Sequence, residues 1–191
     1  MTDLATRELS DLAIWLRERV PPDTDLDRPT MSDLAARLVA AEHLWRPYVR
    51  HDADARFYQQ LYRDPNLDVW LICWVDGQST GYHDHDRSSG AVCVCEGTLL
   101  EDWFRVEEDG WVRERTTEHG PGGRFDFDAS DIHGVRHPGP DAAPATSIHL
   151  YSPALWRMGH YEPGPRGMRR VGMTYAEIGR ASCRERVLDH V

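Results

Sequence analysis

Gly77-Gln-Ser-Thr-Gly81-Tyr-His83-Asp-His85-Asp-Arg-Ser-Ser-Gly90-Ala-Val-Cys93-Val-Cys95-Glu-Gly97 is the stretch that decides the fold. His83 and His85 stand two apart on a predicted strand, so both imidazoles leave the same face. Imidazoles are the usual protein ligands of zinc, copper, iron and nickel. Two of them on one inward face begin a metal site, and the third ligand has to come from another part of the chain.

Outward from this stretch the texture is that of short strands. From about residue 67, β-branched and aromatic segments alternate with turn signals every eight to twelve residues. The predicted strands are 68–76, 79–86, 90–97, 99–106, 111–118, 123–128, 131–137 and 145–152, with turns at Asp76-Gly77, Gly97 and Asp109-Gly110. Asp-Gly between strand runs is a strong hairpin signal. Regular short strands of this kind build a barrel or sandwich. Before them, residues 4–19 read as an amphipathic helix stopped by Pro21-Pro22. A second helix is predicted over 33–45 with Ser32 as its N-cap, and a short helical piece over about 52–62. The expected division is an N-terminal helical segment (1–62) packed on a β-barrel (63–161), then an irregular Pro/Gly/Arg-rich tail (162–177).

The last stretch, Ile178–Val187 (IGRASCRERV), looks foreign to the rest. Read in one frame, a widely used short-read sequencing adapter encodes this string. Residues 178–191 are therefore expected to be an assembly artefact, and no function is assigned to Cys183 or His190. Recovery of the same codons by an independent read of the source DNA would overturn this.

A chain of 191 residues with 40% hydrophobic content suits one domain with a real core. A net charge of −10, from 22 basic and 32 acidic residues, argues against a nucleic-acid partner and a polybasic membrane anchor. No apolar run approaches the ~20 residues of a transmembrane helix, and the N-terminus has no apolar signal core. A cytoplasmic protein is expected, a monomer or small homo-oligomer. Cys73, Cys93, Cys95 and Cys183 fit no zinc-finger spacing and are expected to be reduced and mostly buried.

The spacing of the metal stretch resembles the first cupin motif, Gly-x5-His-x-His-x4-Glu-x6-Gly. Gly77, His83, His85 and Gly97 are in register, while the glutamate position is Gly90. The second cupin motif has a glycine eleven residues before its histidine, matched by Gly122 and His133. His137, four residues on, is a rival third ligand; the interval to Gly122 favours His133. His43, His51, His119 and His160 lie in the helical part, a turn or the tail and are given no role.

With the glutamate missing, the resemblance sharpens. LICW (71–74), HDH (83–85), GTLLE (97–101) and SIHLYSP (147–153) are similar to the cysteine dioxygenase family over residues 30–160. The resemblance implies a cupin (jelly-roll-like) β-barrel, mainly β, with N-terminal α-helices. It implies Fe(II) held by His83, His85 and His133, and O2-dependent oxidation of a small thiol, cysteine to cysteine sulfinate by default. It implies a relay in which Ser147 orients His149 and His149 orients Tyr151. The family's Tyr-x-Arg or Tyr-x-Gln element, which contacts the substrate carboxylate, is matched to Tyr58 and Gln59, with Gln60 one step off. Arg63, Arg87 or Arg157 could replace the missing charge. Some family members cross-link a cysteine to the tyrosine; the aligned residue here is Gly90, so no cross-link is expected. Cys93 and Cys95, an odd number of residues further on, should face away from the metal. The glutamine is closer to members that act on 3-mercaptopropionate or on a range of thiols. Alternatives of other classes are a cupin isomerase or a zinc or manganese hydrolase on the same histidines, and a non-enzymatic cupin that senses a small ligand.

Overall fold

The computed structural model describes residues 4–107, 110–164 and 167–176. Two helices, α1 (Leu4–Arg17) and α2 (Arg28–Ala40), precede eleven strands among the described residues: β1 (Phe57–Arg63), β2 (Asp68–Trp74), β3 (Tyr82–His83), β4 (Ser89–Glu96), β5 (Leu99–Glu107), β6 (Gly110–His119), β7 (Arg124–Phe127), β8 (Ile132–Arg136), β9 (Ala145–Ser152), β10 (Arg157–Gly164) and β11 (Gly167–Tyr175). They form two antiparallel sheets, in the orders β1-β2-β9-β4-β7 and β11-β10-β3-β8-β5-β6.

Strand alternation divides the core in two. On the first sheet, Val69, Leu71, Cys73, Ala91, Cys93, Ile148 and Leu150 pack under Leu12, Leu16, Met31, Leu34 and Leu38 of the helices. The alternate residues, among them Trp74, Val92, Val94 and Tyr151, face the barrel interior with Phe125, Phe127 and Val135. β9 runs between β2 and β4 and is covered on both faces, so all eight of its residues are buried. Cys93 is buried on the helix-facing side and Cys95 packs against the same cluster, on the face away from the barrel interior. Burial pushes both thiols up from their ordinary pKa, leaving them as neutral packing groups.

Four segments differ from the sequence expectation. The strand expected over 79–86 is only Tyr82–His83, so His85 lies just beyond it. The second helix begins at Arg28, not 33, and its N-cap is Asp27, whose carboxylate accepts the Thr30 N–H at 2.8 Å; Ser32 lies inside the helix. Pro29 sits in the first turn, where its missing N–H is not needed. The helical piece expected over 52–62 is instead strand β1. Its apolar residues 57, 58, 61 and 62 imitate helical spacing because a register shift between Gln60 and Tyr62 breaks the period of two. Of the irregular tail expected over 162–177, the described residues instead belong to the β10–β11 hairpin, in which Gly164 pairs with Gly167. The expectation for 178–191 and the Asp109 half of one turn lie outside the described residues.

The glycines of the metal stretch have local reasons. Gly77 takes φ 78° after Trp74, where the chain reverses toward β3. Gly97 takes φ 71°, and a Cβ there would lie 2.5 Å from the carbonyl oxygen of Pro144.

Candidate metal centre and adjoining cavity

β3 and the turn after it present His83 and His85; β8, the partner of β3, presents His133 directly opposite His83. All three are buried, and their ligand nitrogens lie within 4.8 Å of one another. His83 Nδ1–H donates to the Gly81 carbonyl at 3.1 Å, which leaves the Nε2 lone pair for an ion. His133 Nδ1–H donates to Glu101 Oε1 at 3.0 Å, with the same result. Glu101 also accepts from His119 Nε2–H at 3.3 Å. This is the carboxylate–histidine arrangement that fixes the tautomer of a metal-binding imidazole. The ring of His85 stacks on Phe127 at 4.2 Å, and both its nitrogens are buried without a hydrogen-bond partner. A buried imidazole with both nitrogens orphaned is expensive unless an ion takes one of them, so the donor set fits a metal. Burial drives His83 and His85 well below the ordinary histidine pKa, and each neighbouring ring adds to the shift. His83 and His85 are therefore neutral donors at pH 7.

His137, the rival ligand, is outside this cluster. Its Nε2–H donates to the Ala143 carbonyl at 2.9 Å and its Nδ1 accepts the Gly139 N–H at 3.3 Å, so both nitrogens are used by backbone.

Along β9, Ser147, His149 and Tyr151 share the interior face. Ser147 Oγ lies 2.8 Å from His149 Nε2, and the Tyr151 hydroxyl lies 3.4 Å from His149 Nδ1. Trp74 Nε1–H donates to Ser147 Oγ at 2.9 Å. Burial and the neighbouring His133 bring the pKa of His149 down to about 3, so it is neutral with one ring proton. If Ser147 donates to Nε2, that proton sits on Nδ1 and points to the tyrosine oxygen. The Tyr151 proton is then left to point elsewhere. Burial also raises the Tyr151 pKa, which keeps that proton in place.

A cavity of about 350 Å³ opens beside the trio. Its wall includes His83, His133, His149 and Tyr151, apolar Trp70, Ile72 and Leu155, and Arg56 and Tyr58 from the β1 edge. Of the two residues matched to the substrate element, Tyr58 reaches the cavity, with its ring 5.8 Å from that of Trp70. Gln59 does not. Neighbours on a strand face opposite ways, and its amide donates to the Gln60 carbonyl at 2.9 Å. Gln60 Nε2 donates to Asp68 at 2.9 Å. None of the three arginines named from the sequence lines the cavity. Arg63 pairs with Asp68, Arg157 with Asp86, and Arg87 lies over the Trp156 ring.

Four contributors were missed by sequence reasoning. Arg56 carries a guanidinium to the cavity wall, donating to the Ser79 carbonyl and lying 5.2 Å from the Trp74 ring centre. Its signal was the period of two from Tyr58. Glu101 lies within the GTLLE segment, but its contact with His133 spans 32 residues of sequence. His119 ends β6 against Glu101 instead of lying in a turn, and His160, on β10, lines the cavity instead of belonging to a tail.

Two antiparallel sheets that hold three buried histidines together define a cupin fold with a candidate metal site. The sequence profile described as Cysteine dioxygenase type I matches residues 3–163. Cysteine dioxygenase type 1 of Rattus norvegicus and that of Mus musculus are each 26% identical over 182 residues, covering 90% of this chain and 88% of theirs. Among solved structures, a cupin superfamily protein from Desulfitobacterium hafniense DCB-2 is 11% identical, with a TM-score of 0.45 over 70% of this chain and 94% of that one. The chain belongs to the cysteine dioxygenase type I family, and is an enzyme of the thiol dioxygenase type.

Proposed function

We propose that the protein is a mononuclear non-haem Fe(II) dioxygenase that converts a small thiol, RSH, and O2 into the sulfinic acid RSO2H, most readily cysteine into cysteine sulfinate. The observation that carries this reading is the cluster of three buried imidazoles, including the orphaned His85, of which His83 and His133 line a cavity that Tyr151 also lines. Iron, when bound by His83, His85 and His133, supplies the redox chemistry toward dioxygen that zinc lacks.

The protein's own groups do the rest. Three uncharged donors leave the centre cationic, which favours an anionic thiolate. The carboxylate of Glu101, accepting from His133 Nδ1–H, holds His133 in one tautomer. Ser147 and His149 aim the Tyr151 hydroxyl, which donates a hydrogen bond to the reacting sulfur or oxygen atoms. Trp70, Ile72 and Leu155 keep the site apolar, and Arg56 offers a planar fork for a substrate carboxylate. This supports a thiol that carries a carboxylate. 3-Mercaptopropionate is the second reading, favoured by the absence of any carboxylate side chain from the cavity wall among the described residues to receive a substrate ammonium. Buried, unpaired Cys73 and Cys93 fit a reducing, cytoplasmic setting. No helix among the described residues is long and apolar enough to cross a membrane.

The test is an oxygen-electrode screen of iron-loaded protein with cysteine, cysteamine, 3-mercaptopropionate and thiol-imidazoles, combined with metal analysis. Iron with thiol-dependent oxygen uptake supports the proposal. Zinc occupancy with no uptake from any thiol would replace it with the hydrolase or isomerase reading.

A further inference from the structure

His83-Asp84-His85-Asp86 places its histidines and its aspartates on different tasks. The imidazoles turn to the metal centre. The aspartates turn to the β10–β11 hairpin, whose Met158, His160, Thr174 and Tyr175 form the outer wall of the cavity. Among the described residues, β10 joins β3 through two ladder pairs, His160 opposite His83 and Tyr161 opposite Tyr82. The acidic side chains extend that short seam. Asp84 Oδ1 accepts the Gly159 N–H at 3.0 Å, and its other oxygen accepts the Tyr161 hydroxyl. The Asp84 N–H donates in return to the Gly159 carbonyl at 3.1 Å. Asp86 pairs with Arg157 at 2.9 Å. Gly159 packs closely here: a Cβ would stand 2.7 Å from the Arg170 guanidinium and 2.9 Å from Asp84 Oδ1, so a side chain would have to displace both groups.

We infer that Asp84 is a positioning residue for the thiol: it locks the β10–β11 hairpin to the metal-bearing segment and so holds the outer wall of the cavity at a fixed distance from the metal centre. The carboxylate accepts from a backbone N–H and a phenol at once, a charge-assisted pair that a neutral side chain cannot reproduce. One four-residue segment thus carries two of the three candidate ligands and fixes the wall facing them. Loss of the clamp loosens the wall without removing a ligand, so thiol binding weakens more than the chemical step. This rests on the reading that the thiol binds in the cavity.

The experiment uses the full chain with Asp84→Ala and, as the milder variant, Tyr161→Phe, which removes one of the two clamping bonds. Amide hydrogen exchange is measured first, on metal-free protein. Faster exchange, by tenfold or more, is expected across residues 157–164 and 167–176 in Asp84→Ala, with β4 and β9 unchanged. In the iron-loaded enzyme, iron content should stay at the wild-type level, KM for the thiol should rise about tenfold, and kcat should change less than threefold. Tyr161→Phe should shift exchange and KM in the same direction by a smaller factor. Unchanged hairpin exchange and KM in both variants overturns the inference, as does iron loss with unchanged hairpin exchange. If Asp84→Ala fails to fold, Tyr161→Phe decides alone. Failure of the wild-type enzyme to consume oxygen with any thiol tells against the proposed reaction, while the exchange result still reports on the clamp.

Discussion

Gly90 stands directly opposite Tyr151 in the β4–β9 ladder, with the Phe127 ring filling the space its side chain would occupy. A Cβ built on Gly90 meets the Phe127 ring at 2.3 Å. Having no thiol, this position cannot link to Tyr151, and the pocket has closed over it with an aromatic side chain that also stacks on His85. Gly90→Cys is therefore expected to destabilise the fold by about 1–3 kcal/mol through overpacking. Chemical denaturation of the variant measures the loss. A stability equal to wild type would show that Phe127 yields without resistance.

Tyr151→Phe removes the hydroxyl and nothing else. None of the three ligand imidazoles depends on it for a hydrogen bond, so metal content should be unchanged. Turnover is expected to fall on the order of 100-fold, the usual cost of deleting one donor aimed at reacting atoms. Ser147→Ala should lower turnover less, because His149 then keeps its contact with the tyrosine but loses its own tether. Wild-type oxygen uptake by the phenylalanine variant would remove Tyr151 from the reaction.

Arg56 and Gln59 make opposite predictions. Arg56→Gln should raise KM about tenfold or more for cysteine and 3-mercaptopropionate, with little change for cysteamine, which has no carboxylate. Gln59→Ala should leave all three within a factor of two, since its side chain is turned away from the cavity. A substrate profile that follows Gln59 instead would reassign the carboxylate partner.

Glu101→Gln keeps the shape of the side chain and removes the charge that receives His133 Nδ1–H. Metal affinity is expected to drop by a factor of about 10–100, read by competition with a chelator. Unaltered affinity would make the Glu101 contact a packing feature only.

These residues also mark where the sequence was readable. The His83/His85 spacing and the interval from Gly122 to His133 are local, so they could be read without a fold, and the same three side chains come together in the structure. The SIHLYSP strand could be read too, as a period of two. Glu101 was opaque because its partner lies on β8, and only the β5–β8 register, with Glu101 opposite Val135 and His133 opposite Trp103, puts the two side chains on one face within reach. β1 was opaque for a local reason, a register shift that turned an extended segment into an apparent helix. Arg56 followed from that error: a residue assigned to a helix could not be assigned to the cavity side of a strand. The hairpin at the C-terminal end was hidden by its own composition, since Pro and Gly signal disorder and tight turns alike.

His149 gives the fold a pH dependence whose sign is fixed by its burial. Its folded pKa is about 3, against roughly 6.5 for an unfolded histidine. Between those values the unfolded chain takes up a proton that the folded chain refuses. Stability therefore falls as pH falls through that window, by about 1.4 kcal/mol per unit, and is fully retained above it. His83 and His85, also lowered by burial, act in the same direction. Metal-free wild type should thus lose several kcal/mol between pH 7.5 and 5. His149→Asn loses its contacts at both pH values, but the difference between them should shrink by roughly 2 kcal/mol, the share of one histidine. Urea denaturation of both proteins at the two pH values measures it. An unshrunk difference would mean that His149 takes up its proton in the folded barrel, and the neutral relay drawn from Ser147 to Tyr151 would have to be redrawn with an imidazolium at its centre.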